Sequence, residues 1–178
     1  VPGPVIVALL GIETDYGGYT GSYDVIRSMA SLAFGAKRDT KEATEKRRSL
    51  FYNELYYAFK MIQDGVRTRD NLIGSWAGAV GINQHMPSSY YAKVVDGDND
   101  GDRDIWDMED LSDVFATTAS HLTSVGWRSG EKWGRSVQVP DGFSEALVGN
   151  KIKKPLSFWR EAGIKTASGA PLPVVDGM

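Results

Sequence analysis

Acidic side chains recur at alternate positions near the end of one stretch of the chain, which runs from Gly74 to Asp107. A hard cation takes six to eight oxygen ligands, and a sharp reversal at a glycine lets successive carboxylates point inward. Residues 96–107 place acids at positions 1, 3, 5, 9 and 12 of a calcium-binding EF-hand loop, with Gly101 at position 6. The spacing predicts a calcium site whose ligands are Asp96, Asp98, Asp100, Asp102, Asp104 and Asp107.

Two positions of this loop depart from the usual pattern. Asp107 stands where glutamate is usual, and its shorter side chain can ligate with one oxygen. Arg103 occupies position 8, which is normally apolar, so Ile105 and Trp106 are expected to supply the packing instead. The alternative interpretation is a solvated acidic turn that binds no ion.

Glu13 is a second carboxylate that could do chemistry, because it follows the apolar run Val5–Ile12. Pro2 and Pro4 suit the first turn of a helix, and the run is apolar on nearly all sides, which predicts a buried helix that ends at Gly17. Burying a charge without a partner is costly. Such a carboxylate is therefore paired, protonated or poised for catalysis.

A sheltered glutamic acid can donate a proton to the leaving oxygen of a glycosidic bond, since an apolar pocket raises its pKa. Hydrolases normally add a second carboxylate. Asp15 is the nearest, but two residues along a helix turn it about 200° away from Glu13, and Asp24 is a candidate on sequence distance only. The sequence favours a one-acid mechanism. The alternative for Glu13 is a structural ion pair with Arg47 or Arg48.

Hydrophobic periodicity predicts that a mainly helical body positions these groups, with a small strand element. Ser22 and Asp107 are expected to cap the helices that follow them, and glycines are expected to end most of the helices. The later predicted helices span residues 22–35, 37–65, 107–126 and 155–163, and a short strand spans 137–139. The fold class is therefore mainly α, of the α+β type.

Composition describes an ordinary globular chain of 178 residues, 42% hydrophobic and 24% charged, with a net charge of −3. Residues 96–113 hold nine acids and one base, which leaves nineteen bases against fourteen acids elsewhere. With calcium in the loop, the remaining surface is mildly basic and suits an anionic polymer. Because the basic residues are interspersed with acids, they do not form the stripe expected of a nucleic-acid-binding protein.

Several classes of protein are disfavoured. There is no cysteine, and with two histidines a zinc centre is not expected. No apolar run approaches the roughly 20 residues of a membrane helix, and Val5–Ile12 lacks the basic flank of a signal peptide. The chain begins at Val1 rather than at methionine, which predicts that it is a piece of a longer product.

Four short motifs follow one another along the chain. They are Gly11-Ile12-Glu13-Thr14-Asp15-Tyr16-Gly17, Gly74-Ser75-Trp76-Ala77-Gly78-Ala79-Val80-Gly81, Gln84 with Met86-Pro87-Ser88-Ser89-Tyr90, and the loop closing on Ile105-Trp106-Asp107. In this order they resemble the lytic murein transglycosylase B family, from about Pro4 to Pro173. The resemblance implies a lysozyme-like core over residues 1–140, which includes the calcium loop, and a C-terminal extension over 141–178.

The resemblance also implies an activity, cleavage of the MurNAc–GlcNAc β-1,4 bond of peptidoglycan without water. Glu13 matches the family's catalytic acid, which would protonate the glycosidic oxygen and then take the proton of the muramyl C6 hydroxyl as a 1,6-anhydro ring closes. The expected partner is the peptidoglycan glycan strand, in the bacterial periplasm or cell envelope. The expected protein is a monomer with structural Ca²⁺, and a lipid anchor on its precursor stays open.

Six further residues match the family's substrate contacts. Ser75 and Gln84 are implied to hydrogen-bond the sugar. Arg47 and Arg48 are implied to lie beside the glycan and its peptide. Trp76 and Tyr90 are implied to stack on sugar faces. Each pair has a structural alternative. Either aromatic residue is equally consistent with a core position, Ser75 with a turn cap, and the arginines with a solvated helix face.

One departure from the family concerns a histidine. His85 stands where phenylalanine is usual, which is interpreted as a change of packing rather than of pH dependence. His121 lies off the apolar face of its predicted helix and is expected at the surface. Two alternatives to the transglycosylase stay open at this point: a hydrolytic muramidase, and a non-catalytic, calcium-stabilised peptidoglycan-binding module.

Overall fold

Six α-helices, one 3₁₀ helix (Glu145–Leu147) and four two-residue strands form the regular structure of the described residues, which are 1–35, 37–131 and 134–174 of this computed structural model. The mainly helical architecture with small strand elements agrees with the prediction. The elements are α1 (Gly3–Thr14), β1 (Tyr23–Asp24), α2 (Val25–Gly35), α3 (Lys41–Gln63), β2 (Ile73–Gly74), α4 (Pro87–Lys93), α5 (Ser112–Ser124), β3 (Val137–Gln138), α6 (Leu156–Glu161) and β4 (Lys165–Thr166).

The chain divides into two compact units, residues 1–129 and residues 130–178. In the first unit β1 pairs antiparallel with β2, and in the second β3 pairs antiparallel with β4. The strand predicted at Val137 and the helix predicted after Pro155 are both present. The division predicted at residue 140 stays a prediction, and residues 175–178 of the predicted extension lie outside the described residues.

Helix α1 is less buried than its composition predicts. Its buried residues are Ile6, Leu10 and Thr14, which recur every four residues and form one stripe. Ile12 is 80% exposed and Val7 is also exposed, so the prediction of a helix buried on nearly all sides is wrong. The physical reason is that α5 is its helical neighbour and covers a single face.

Helices α2 and α3 pack against each other, and each contributes three side chains to the buried core. Asp24 rather than Ser22 caps α2, because its Oδ1 accepts the Arg27 amide at 2.9 Å. The Thr40 hydroxyl caps α3 by accepting the Ala43 amide at 3.1 Å. Both caps satisfy amide groups that have no partner within the helix. The predicted helix end at Gly35 is confirmed.

The loops that follow β2 are held against this core by buried contacts. Ile82 donates its amide to the Ile105 carbonyl at 2.8 Å, and both side chains are fully buried. The packing role predicted for Ile105 is therefore confirmed. Buried Glu54 of α3 accepts both the Ser88 amide and the Ser88 hydroxyl, at 2.9 and 2.7 Å, which fixes the start of α4.

No helix within the described residues combines the length and the apolar character needed to span a membrane.

Candidate active site and acidic loop

The C-terminal end of α1 is anchored to the loop that faces it. The buried hydroxyl of Thr14 donates to the Ile82 carbonyl at 2.8 Å and accepts the Gly17 amide at 3.1 Å. Asp15 and Tyr16 both have a left-handed backbone, with φ of 51° and 57°, which costs energy in residues other than glycine. These contacts fix the backbone on which the neighbouring Glu13 stands.

Glu13 lines a cavity of about 310 Å³ built from three segments. The segments are the end of α1, the loop at residues 83–85 and the middle of α5. The lining residues are Leu9, Leu10, Glu13, Asn83, Gln84, His85, Thr118, His121 and Leu122. The leucines give it an apolar side and the loop gives it a polar one, as is usual in ligand sites.

Glu13 differs from the sequence prediction in its environment. The side chain is exposed rather than buried, because it lies at the end of a helix with one covered face. Within the described residues it forms no salt bridge. Arg48 instead pairs with Glu45 at 3.5 Å, and the Arg47 guanidinium lies 4.8 Å from the centre of the Phe51 ring. The alternative of a structural ion pair with either arginine is therefore not supported.

The candidates for a second carboxylate do not join Glu13 in the cavity. Asp24 is engaged elsewhere, since its carboxylate caps α2 and pairs with Arg69 at 2.5 Å. Partial burial alone would raise the pKa of Asp24, but hydrogen bonds from Arg27 and Arg69 lower it below its usual value. Neither Asp15 nor Asp24 lines the cavity. Glu13 is the one carboxylate among its described lining residues.

Gln84 lines the same cavity, and the nitrogen of its side-chain amide is already hydrogen-bonded. Its Nε2 donates to the Thr20 carbonyl at 3.1 Å and to the Gly81 carbonyl at 2.9 Å. The backbone is left-handed at this residue, with φ of 51°. Its Oε1 is therefore the atom left for a ligand.

Ser75 lies in the turn after β2, and it serves the turn as the structural alternative predicts. Its Oγ accepts the Ala79 amide at 3.0 Å, which still leaves its own hydroxyl proton to donate. The neighbouring Trp76 is 60% exposed, as stacking on a sugar face would require.

Tyr90 does not support the stacking role that was predicted for it. The ring is buried against Trp106, at 5.8 Å between ring centroids, and the hydroxyl donates to the Arg103 carbonyl at 3.1 Å. Burial also raises the pKa of Tyr90. Its apolar ring packs in the core because α4 turns it inward, so the core alternative holds for Tyr90.

The two histidines meet at the cavity, which the sequence did not predict for His121. Their rings lie edge to face, 6.0 Å between centroids, and His121 Nδ1 lies 3.4 Å from the Lys93 ammonium. The His85 backbone is fixed by a bridge to Val80. Burial, together with the neighbouring His121 and Lys93, lowers the pKa of His85 to about 4.

Arg48 lines a separate cavity of about 680 Å³ between α2 and α3, with aromatic walls from Phe34, Tyr52 and Tyr56. None of its lining residues is shared with the Glu13 cavity. The structure does not bring Arg47 or Arg48 into the Glu13 cavity.

The acidic loop reverses its direction at Asn99 and Gly101. Asn99 and Gly101 have φ of 65° and 101°, and the Asp96 carboxylate accepts the amides of both residues, at 2.6 and 3.1 Å. Oxygen atoms of Asp96, Asp98 and Asp113 lie within 4.8 Å of one another. Two oxygens on one calcium ion lie at most about 5 Å apart, so this donor set fits calcium.

Asp113 was missed by the sequence analysis. It stands in the first turn of α5, six residues beyond the predicted loop, and is 6% exposed. Its two oxygens accept the amides of Gly97 and Asp104, at 2.6 and 2.7 Å. The signal that could have found it is an acid placed to face the loop from the helix that follows.

The other predicted ligands surround the same place. A small cavity of about 90 Å³ is lined by Asp98, Asp100, Asp102, Asp104, Asp107, Asp110 and Asp113. Partial burial and the charges of Asp100 and Asp104 raise the pKa of Asp102. A divalent cation would relieve this repulsion between like charges.

Comparison with known proteins finds a matching family and a related sequence. The family model described as "Transglycosylase SLT domain" matches residues 1–177. The membrane-bound lytic murein transglycosylase B of Escherichia coli (strain K12) is 32% identical over 176 residues, which are 92% of this chain and 46% of that protein.

Two solved structures illustrate the similarity of the fold. SltB3 from Pseudomonas aeruginosa, in complex with NAG-anhNAM-pentapeptide, is 38% identical with a TM-score of 0.77, over 97% of this chain and 42% of that one. The Escherichia coli lytic transglycosylase Slt35, in complex with calcium, is 30% identical with a TM-score of 0.75, over 94% of this chain and 49% of that one. The chain thus spans about half the length of these relatives.

Proposed function

The chain belongs to the transglycosylase SLT domain family and has its lysozyme-like fold, and on that premise we propose that it is a lytic murein transglycosylase. The proposed substrate is peptidoglycan, cleaved at the β-1,4 bond between MurNAc and GlcNAc. The observation that carries the proposal is the cavity at the end of α1. It holds Glu13 beside polar loop residues and no other carboxylate among its described lining.

A single carboxylate suffices if the sugar supplies its own nucleophile. Protonated Glu13 gives its proton to the bridging oxygen as the bond from C1 of MurNAc to that oxygen breaks. The carboxylate then takes the proton of the C6 hydroxyl while the C6 oxygen bonds to C1. Glu13 ends protonated, the product ends in 1,6-anhydro-MurNAc, and no water is consumed. The anhydro sugar named in the complex of the SltB3 relative is consistent with such an end.

The exposed position of Glu13 gives the substrate a second role. A sugar ring that fills the cavity excludes water from the carboxyl group. Leu9, Leu10 and Leu122 supply the apolar surface that completes this exclusion. The bound glycan thus shelters the carboxyl group that takes part in both steps.

Three side chains are proposed to orient the glycan. Gln84 accepts a hydrogen bond through its Oε1, because its Nε2 is already engaged. Ser75 donates through its hydroxyl, and the exposed Trp76 ring offers a stacking surface. Arg47 and Arg48 are proposed to contact the glycan or its peptide outside the cavity.

Calcium is proposed as the structural ion of the acidic loop. The donors are all oxygen atoms, their spacing suits one ion, and an ion there would tie the loop to the first turn of α5 through Asp113. The relative solved with calcium adds support. The proposed setting is the bacterial periplasm or cell envelope, where the substrate lies, and the proposed state is a monomer.

Glu13→Gln tests the proposal, since glutamine keeps the shape of the side chain and lacks the acidic proton. Release of soluble muropeptides from purified sacculi should fall by about 10² to 10⁴ in Glu13→Gln, as expected for a general acid. Asp15→Asn is the matched control, because it makes the same chemical change two residues away and asparagine tolerates a left-handed backbone. It should keep wild-type turnover.

The alternatives give different results in the same assay. If the protein is a non-catalytic binding module, both variants should bind sacculi equally and release no soluble muropeptides. Equal loss in Glu13→Gln and Asp15→Asn would show that the carboxylate at residue 13 has no special role.

A further inference from the structure

Two neighbouring amides line the Glu13 cavity, and the structure treats them differently. The Gln84 side chain is held by two hydrogen bonds to backbone carbonyls. The Asn83 side chain is buried at both Oδ1 and Nδ2, and neither atom has a hydrogen-bond partner among the described residues. Buried amides are almost always hydrogen-bonded, so an exception calls for a physical reason.

The backbone around Asn83 is fixed although its side chain is not. Ile82 is held through its amide by the Ile105 carbonyl at 2.8 Å and through its carbonyl by the Thr14 hydroxyl, also at 2.8 Å. On the other side, His85 exchanges two backbone hydrogen bonds with Val80, at 2.8 and 2.9 Å. The loop therefore presents Asn83 from a rigid support, while rotation of its amide breaks no hydrogen bond.

We propose that Asn83 is a substrate-binding residue whose amide turns into the Glu13 cavity and hydrogen-bonds the polar edge of the amino sugar. This inference rests on the proposed function. A 2-acetamido sugar carries an N–H on C2 next to an oxygen on C3, so one asparagine amide can accept from the first and donate to the second. The occupied site satisfies the two atoms that the free protein leaves without partners.

The rest of the cavity fits the same occupant. Leu9, Leu10 and Leu122 form an apolar side for the C–H face of a ring, opposite the polar loop. A volume of about 310 Å³ lies at the lower end of the range of ligand pockets. Asn83 therefore reads the orientation of the ring that Glu13 acts on.

Asn83→Leu separates a ligand-binding role from a structural one, because leucine is similar in size and has no polar atoms. Removing a buried amide that lacks partners should leave the melting temperature unchanged or raise it. The KM for soluble glycan strands should rise about tenfold or more, since two hydrogen bonds to the sugar are lost. Turnover at saturation should change less than KM.

Two other substitutions provide the matched comparison. Gln84→Leu leaves the Thr20 and Gly81 carbonyls without their donor, so it should lower the melting temperature. Asn71→Leu changes an exposed asparagine that lines neither the Glu13 cavity nor the cavity of Arg48, so it should alter neither KM nor melting temperature.

A second measurement does not depend on turnover. In Glu13→Gln labelled with ¹⁵N, the Asn83 side-chain NH₂ signals should shift when tetra-N-acetylchitotetraose binds, and the Asn71 signals should not. Unchanged Asn83 signals on binding would overturn the inference. So would Asn83→Leu with an unaltered KM, or with a KM that rises only in proportion to lost stability. If the wild type releases nothing from sacculi, the proposed function fails and the inference fails with it.

Discussion

The Glu13 cavity and the acidic loop use carboxylates in opposite ways. In the cavity one exposed carboxylate stands apart from other acids and forms no salt bridge within the described residues. In the loop many carboxylates crowd around about 90 Å³, and backbone amides bond most of them. A single carboxylate can exchange a proton with a substrate, whereas crowded carboxylates repel one another and are stabilised when a cation binds.

The two sites also differ in how many chain segments they need. The loop is largely local, since its acids follow one another within residues 96–107 and one further acid, Asp113, completes it from α5. The cavity brings together residues near 13, 84 and 121. A local site depends on turn geometry, and a composite site depends on the whole packing of the unit.

Asp113→Asn is the change expected to have the largest effect on the loop. An asparagine cannot accept both the Gly97 and Asp104 amides, so stability without calcium should fall by about 1–3 kcal/mol. The stabilisation by calcium, about 2.7 kcal/mol for the wild type at a hundredfold excess over Kd, should nearly vanish. Thermal unfolding with calcium, with magnesium and with chelator measures both effects.

Asp107→Asn tests which acid completes the proposed calcium site. Sequence spacing assigns the last ligand to Asp107, whereas the structure groups Asp113 with Asp96 and Asp98. We expect Asp107→Asn to keep most of the calcium response. If Asp107→Asn loses the calcium response and Asp113→Asn keeps it, Asp107 rather than Asp113 is the last ligand of the site. An unresponsive wild type would leave the solvated acidic turn as the correct interpretation of the loop.

His85→Phe should have a smaller effect, limited to acidic pH. The native pKa of His85 is lowered from 6.5 to about 4, so the unfolded chain binds the proton more readily. Between pH 6.5 and pH 4 the wild type should therefore lose stability as the pH falls, by about 1–3 kcal/mol. His85→Phe removes this proton uptake, so the free energy of unfolding should depend less steeply on pH.

Urea unfolding at pH 7 and at pH 4.5 measures the slope for both proteins. Parallel losses in wild type and His85→Phe would show that other groups govern acid stability. A slope that flattens while the glycan KM stays constant would support the interpretation of His85 as a packing residue.

The sequence predicted what depends on local pattern. The ends of α2 and α3 follow from Gly35 and Gly65, and the reversal of the acidic loop follows from Gly101. The burial of Ile105 was likewise foreseen. These features need no knowledge of which elements are neighbours.

Errors arose where the result depends on neighbours. The apolar composition of α1 predicts burial on nearly all sides, but the number of covering elements decides it, so Glu13 is exposed. Tyr90 fits a sugar platform by type, but the direction in which α4 turns it makes it a core residue. The place of His121 in the cavity depends on α5 packing near the loop of His85. Periodicity within one helix contains none of this information.

The central claim is that Glu13 acts alone and that the sugar hydroxyl, rather than water, attacks C1. Digestion of sacculi in water enriched in ¹⁸O, followed by mass analysis of the released muropeptides, tests it directly. The account predicts 1,6-anhydro ends, one water lighter than hydrolysed ends and without ¹⁸O. Reducing MurNAc ends that carry ¹⁸O would contradict it and identify a hydrolytic muramidase.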